Sequence, residues 1–111
     1  MTHERGSVVW STDPFKRDPE AGRPWLVVSN ETQPFGDEQA MTIALSTSGH
    51  DEAITIDRNA WIEGGVPNQS YALPWAVHTV QTVDVQQRLG RLSPTFVDEA
   101  VARLEEYVAP R

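Results

Sequence analysis

Up to Leu92 the apolar residues of this chain come in short runs broken by Pro, Gly, Asp and Asn; from Ser93 onward their spacing turns helical. That switch of period constrains the fold more than any other feature, because a strand alternates its side chains every second residue and a helix every 3.6. Six extended segments are expected: Ser7–Thr12 around Val8, Val9 and Trp10, then Trp25–Ser29, Met41–Ser46, Ala53–Asp57, Tyr71–Val83 and Gln87–Leu92. Pro74 interrupts the fifth and should mark an edge or a bulge, since it has no N–H for a ladder. Asp13–Gly22 and Asn30–Gln39 are expected to be loops, and Asn59–Asn68, with Gly64, Gly65 and Pro67, mostly turn. Beyond them Phe96, Val97, Ala100, Val101, Leu104, Tyr107 and Val108 form one apolar helical face. Ser93 can cap that helix, Pro94 suits its first turn, and Pro110 ends it. The expected architecture is a mainly β small barrel closed by a C-terminal α-helix, one domain over residues 1–111.

Composition narrows the chemistry. The chain has 111 residues and no cysteine, which leaves room for one core and excludes disulfides, thiolate metal sites and a Cys nucleophile. No run approaches the ~20 apolar residues of a membrane span, and Met1 to Gly6 are polar, so neither a membrane anchor nor a secretory signal is expected. A cytoplasmic protein fits best. Asp and Glu outnumber Lys and Arg by 16 to 9, a formal net charge of −7, and Lys16 is the one lysine. Surplus acid with so little lysine suits a protein working in high salt, a halophilic composition. It also opposes sequence-blind adhesion to nucleic acid, so any binding of a polyanion must rest on a local site. No His-x-x-x-His, no carboxylate cluster with metal spacing, no phosphate-cradling glycine loop and no nucleophile elbow is present, so no metal or cofactor is expected. Gly64-Gly65 reads as a turn signal alone.

Gly6-Ser7-Val8-Val9-Trp10 leading to Asp13-Pro14, then Gly22-Arg23-Pro24-Trp25-Leu26-Val27-Val28-Ser29, resembles the opening of the MazF/PemK toxins. Ile43-Ala44-Leu45-Ser46-Thr47 looks like their third strand, which ends in threonine. Thr82-Val83-Asp84, Arg88-Leu89 and the terminal helix also have counterparts, so the resemblance runs from about Gly6 to Val108. It implies an SH3-like barrel, a homodimer, metal-independent cleavage of single-stranded RNA to a 2′,3′-cyclic phosphate and a 5′-hydroxyl, and a cognate antitoxin that blocks the RNA groove. A relative with the same barrel poisons DNA gyrase instead, so a non-catalytic binding module stays open as the alternative.

By that resemblance Arg23 is the arginine before proline, and its fork of donors matches phosphate oxygens; a salt bridge to a loop acid such as Glu20 or Asp18 is the plainer alternative. Thr47 matches the family's threonine across the pocket, with Ser46 and Ser48 one register step away, although hydroxyls at strand ends often satisfy only local backbone groups. Counting back from Thr82, His78 stands where many relatives carry an acid, and an imidazole can move protons near neutrality; a structural role is the alternative. Lys16 and Arg17 could track phosphates or simply tip a solvated loop. Trp61 and Trp75 adjoin turns and could stack bases or pack, whereas Trp10 and Trp25 sit within strands and are expected in the core. His3, in a terminus expected to fray, and His50, in a turn, receive no role.

Overall fold

The computed structural model describes residues 3–111; Met1 and Thr2 lie outside the described residues. Its strands are β1 (Ser7–Thr12), β2 (Gly22–Val27), β3 (Gln39–Ser46), β4 (Ile54–Thr55), β5 (Trp61–Gly64), β6 (Tyr71–Gln81) and β7 (Gln87–Leu92), followed by helix α1 (Pro94–Val108). They form one seven-stranded antiparallel sheet in the order β4-β6-β3-β2-β1-β7-β5, curled into a half-barrel. Register shifts in β1–β7, β3–β6 and β5–β7 supply local bends that help the sheet curl. The β6 shift falls at Pro74: Ile43 pairs with Val77 and Ala44 with Leu73, so Pro74, Trp75 and Ala76 bulge out of the ladder as expected.

Alternation sorts the apolar residues onto two faces. Val8, Leu26, Ile43, Leu45 and Leu92 form one core cluster, and α1 closes it with Phe96, Val97 and Ala100. Burying each such large side chain contributes roughly 1.5–3 kcal/mol. The Ser93 hydroxyl accepts the Phe96 N–H at 3.2 Å and Pro94 opens the helix, as the sequence predicts. Val9, Trp25, Ala44, Leu73 and Val80 make a second, smaller cluster on the other face.

Three expectations need correction. β2 begins at Gly22 rather than Trp25, which draws Arg23 into the sheet. The half-buried strand expected at Ala53–Asp57 shrinks to Ile54–Thr55 at the sheet edge. The stretch expected to be mostly turn contains β5, whose pairing to β7 depends on glycine. Gly64 has φ +59°, and a Cβ there would be driven into the Leu89 carbonyl; Gly90 opposite leaves room for the β5 backbone at Glu63. Gly64-Gly65 is thus a close crossing of two strands, not merely a turn.

His3 does not fray. It is half-buried, and burial, aided by the Arg88 guanidinium, holds its imidazole below the usual 6.5. The unfolded chain therefore takes up this proton first as pH falls, so stability drops below pH 6.5. His3→Gln should flatten that slope in urea melts across the acidic range; an unchanged slope would contradict it. Gly64→Ala should cost about 2–3 kcal/mol in the same melts, combining a left-handed backbone with a steric clash. Gly49→Ala, whose Cβ would meet Tyr71 at an ordinary 3.5 Å, should cost no more than about 1 kcal/mol.

Candidate functional site

Two neighbouring strands part company at one end of the sheet. The β2–β3 ladder stops at the Trp25–Ala44 pair, while β2 stays on β1 as far as Gly22 opposite Thr12. Continued, the β2–β3 register would set Arg23 opposite Ser46. Instead the chains separate and open a cleft of about 600 Å³. Trp10, Lys16, Gly22, Arg23 and Pro24 line one side, Leu45, Ser46, Thr47 and Ser48 another, and the β5–β6 loop from Gly65 to Asn68 a third.

Asp13 organises the arginine wall. Its side chain is 1% exposed, and a buried carboxylate must be paired and hydrogen-bonded. One oxygen accepts the Phe15 N–H at 2.9 Å, closing an Asx-turn, and the other accepts Arg23 Nε–H at 2.9 Å. Arg23 Cζ also lies 5.4 Å from the centroid of the Phe15 ring. The two terminal guanidinium nitrogens have no hydrogen-bond partner among the described residues. The arginine is held by its inner nitrogen, and its outer fork is available to a ligand. Arg23 is ion-paired to a loop acid, as the plainer alternative has it, and that acid is Asp13 rather than Asp18 or Glu20. Asp18 instead accepts the Glu20 N–H within its own turn.

Thr47 is exposed on the facing wall, and its side chain has no partner among the described residues. Ser46 Oγ accepts the Ser48 N–H at 3.0 Å, a local turn. Lys16 lines the cleft; Arg17, next to it, is exposed but does not. Trp75 lies outside the cleft and lines an adjoining hollow of about 410 Å³ with Phe15, Arg23 and Val77. Trp61 lines a third cavity of about 290 Å³ behind the Gly65–Ser70 loop. His78 is not brought to the cleft either. Its ring packs on Trp25, with centroids 5.0 Å apart, and its carbonyl accepts the Thr42 hydroxyl at 2.7 Å. The Trp25 N–H is spent on the Thr12 carbonyl, so the indole offers His78 no proton path.

Two cleft residues were missed in the sequence. The sequence places Asp13 in a loop with Asp18 and Glu20, and the burial that singles it out as the partner of Arg23 is visible only in the fold. Trp10, expected in the core, is half-buried and lines the cleft. Gly22 is what admits it, since a Cβ there would strike the indole. Charge also segregates: Asp13, already neutralised by Arg23, is the one acid among the residues lining the cleft. The lining of the cleft is therefore net cationic although the chain as a whole is acidic. Asp13→Ala should destabilise the fold by about 3 kcal/mol and release Arg23. Asp13→Asn, which keeps an acceptor, should cost less; equal losses by thermal melt would argue against the clamp.

Comparison with known proteins places the fold and the sequence in a family. The sequence profile of PemK-like, MazF-like toxins of type II toxin-antitoxin systems matches residues 4–108. No curated protein matches the chain. Among solved structures it is similar to a MazE–MazF complex from Deinococcus radiodurans at TM-score 0.76, with 13% identity and 100% of each chain covered. It is also similar to a mycobacterial endoribonuclease in complex with its cognate antitoxin, at TM-score 0.73 and 16% identity over 99% of this chain and 96% of that one. The Mycobacterium tuberculosis toxin MazF-mt6 gives TM-score 0.67 and 14% identity over 90% and 93%. At these identities the structures speak for the fold, while the profile covers nearly the whole sequence. The chain belongs to the PemK-like, MazF-like toxin family of type II toxin-antitoxin systems.

Proposed function

We propose that this protein is a toxin endoribonuclease that cuts single-stranded RNA without a metal and so inhibits growth, working as a homodimer in the cytoplasm and silenced by a cognate antitoxin. One observation carries the reading: the outer fork of Arg23, steadied by buried Asp13, lines the same cleft as the hydroxyl of Thr47, and neither has a partner among the described residues. In the proposed reaction the RNA 2′-oxygen attacks the neighbouring phosphorus and the bond to the 5′-oxygen breaks. The products are a 2′,3′-cyclic phosphate and a 5′-hydroxyl. Negative charge accumulates on the phosphoryl oxygens in between, and preorganised donors there lower the barrier more than any other single device. Arg23 supplies two of those donors and Thr47 Oγ1 a third; Lys16, at the rim, attracts the neighbouring phosphate. Water in the open cleft takes the proton from the 2′-hydroxyl and returns one to the leaving oxygen. His78, packed on Trp25, is left out of this scheme.

The test is to incubate purified protein with a long RNA in high-salt buffer and map the ends. Cleavage should leave 5′-hydroxyls. Arg23→Ala should slow it at least about 100-fold with circular dichroism unchanged, the scale of losing an oxyanion donor. Arg23→Lys should fail nearly as badly, because an ammonium lacks the fork. His78→Ala should keep the rate within about threefold; a loss like that of Arg23→Ala would return proton transfer to His78. Undiminished cleavage by Arg23→Ala would end the assignment. Growth inhibition without any cleavage would favour a protein target, as in the gyrase-poisoning relative.

A further inference from the structure

Most arginines of this chain are neutralised. Arg5 pairs with Asp98, Arg88 with Glu63, Arg91 with Glu4, and Arg103 with Glu52 and Glu106. Arg58 has no ion pair or side-chain hydrogen bond among the described residues, although acids outnumber bases by 16 to 9. It opens the short 3-10 turn Arg58–Ala60 and lines the cavity behind the β5–β6 loop together with Trp61 and Asn68. That cavity has no Asp or Glu in its lining, and it shares Gly65, Val66, Pro67, Asn68 and Ser70 with the Arg23 cleft. The side-chain amide of Asn68 is also without a partner among the described residues. Next to the cleft, then, stand a free guanidinium, an indole and a free amide.

We infer that this cavity is a second nucleotide subsite, holding a nucleotide of the same RNA strand that flanks the cleaved step. The inference rests on the RNA-cleaving reading above. Arg58 takes a backbone phosphate, Trp61 offers an aromatic surface to the base, and Asn68 can donate to and accept from a base edge. An acidic peptide would satisfy Arg58 but leave the aromatic surface and the amide without a matching planar, hydrogen-bonding partner.

The probes are two RNA oligonucleotides made uncleavable by a 2′-deoxy sugar at the mapped step, one limited to that step and one extended on both sides. The wild-type protein should bind the extended oligonucleotide more tightly. Arg58→Ala should remove about five- to tenfold of that affinity and lower the salt slope by about 1, with no change for the short oligonucleotide. Asn68→Ala should act in the same direction. Both variants should retain the far-ultraviolet spectrum, since neither side chain has a partner to lose. Equal affinity of wild type and Arg58→Ala for the extended RNA, while cleavage persists, overturns the subsite alone. An equal loss on both oligonucleotides, or a loss seen only with a glutamate-rich peptide, also overturns it. If free nucleoside monophosphate binds at Arg58 and the extended RNA does not displace it, the site serves a free nucleotide and the inference falls. If the wild type neither binds nor cleaves RNA, the endoribonuclease reading fails first and the subsite with it.

Discussion

A carboxylate that is 1% exposed cannot stay charged without close partners, and the chemistry of this molecule follows from how Asp13 finds them. Its two oxygens are satisfied by different kinds of donor, a backbone amide and Arg23 Nε–H. The first folds the chain after Asp13 into a turn and brings Phe15 beside the guanidinium. The second removes one nitrogen of Arg23 from play and leaves the other two outward. The Asp13 N–H reaches the Ala21 carbonyl at 2.8 Å, so the same residue also closes its loop where β2 begins. One buried ion pair thereby sets the loop, the rotation of the arginine and one wall of the cleft.

The sheet supplies the opposite wall by failing to pair. β2 follows β1 to its end but leaves β3 after Trp25, and the gap opens the cleft lined by Arg23 and the Ser46–Ser48 segment. Glycine holds the third side: the tight crossing of Gly64 and Gly90 is possible only without side chains, and it launches the loop that divides the cleft from the Arg58 cavity. Surface charge is arranged around this opening. Among the described residues Arg5, Arg88, Arg91 and Arg103 are matched by acids, while Lys16, Arg58 and the outer fork of Arg23 are not. A chain of net charge −7 can in this way keep a locally cationic groove.

What the sequence disclosed was mostly one-dimensional. Short apolar runs bounded by turn residues found most of the strands, and the helical spacing after Ser93 found the helix, whereas the alternation at Ala53–Asp57 overstated a strand that is only Ile54–Thr55. β5 was lost, since glycines that permit a close crossing look the same in sequence as glycines that make a turn. The arginine and the threonine came from motif order, and the structure brings both to one cleft. Their partner did not. Asp13, Asp18 and Glu20 stand in the same loop, and only burial distinguishes the one that must pair. His78 came from the resemblance, by counting back from Thr82, and the count carries no side-chain direction; the register sets it across from Thr42 and its ring against Trp25. Arg58 carried no signal at all, because being unpaired is a property of the folded surface.

The central claim is that the Arg23 fork and the Thr47 hydroxyl take the same phosphate. The most direct measurement is a nuclear magnetic resonance titration of isotope-labelled protein with an uncleavable RNA. Arg23 side-chain and Thr47 signals should shift together with one dissociation constant, while signals from the solvent face of α1, such as Glu99 and Ala102, stay in place. Shifts centred on that helix face, with Arg23 and Thr47 silent, would contradict the account.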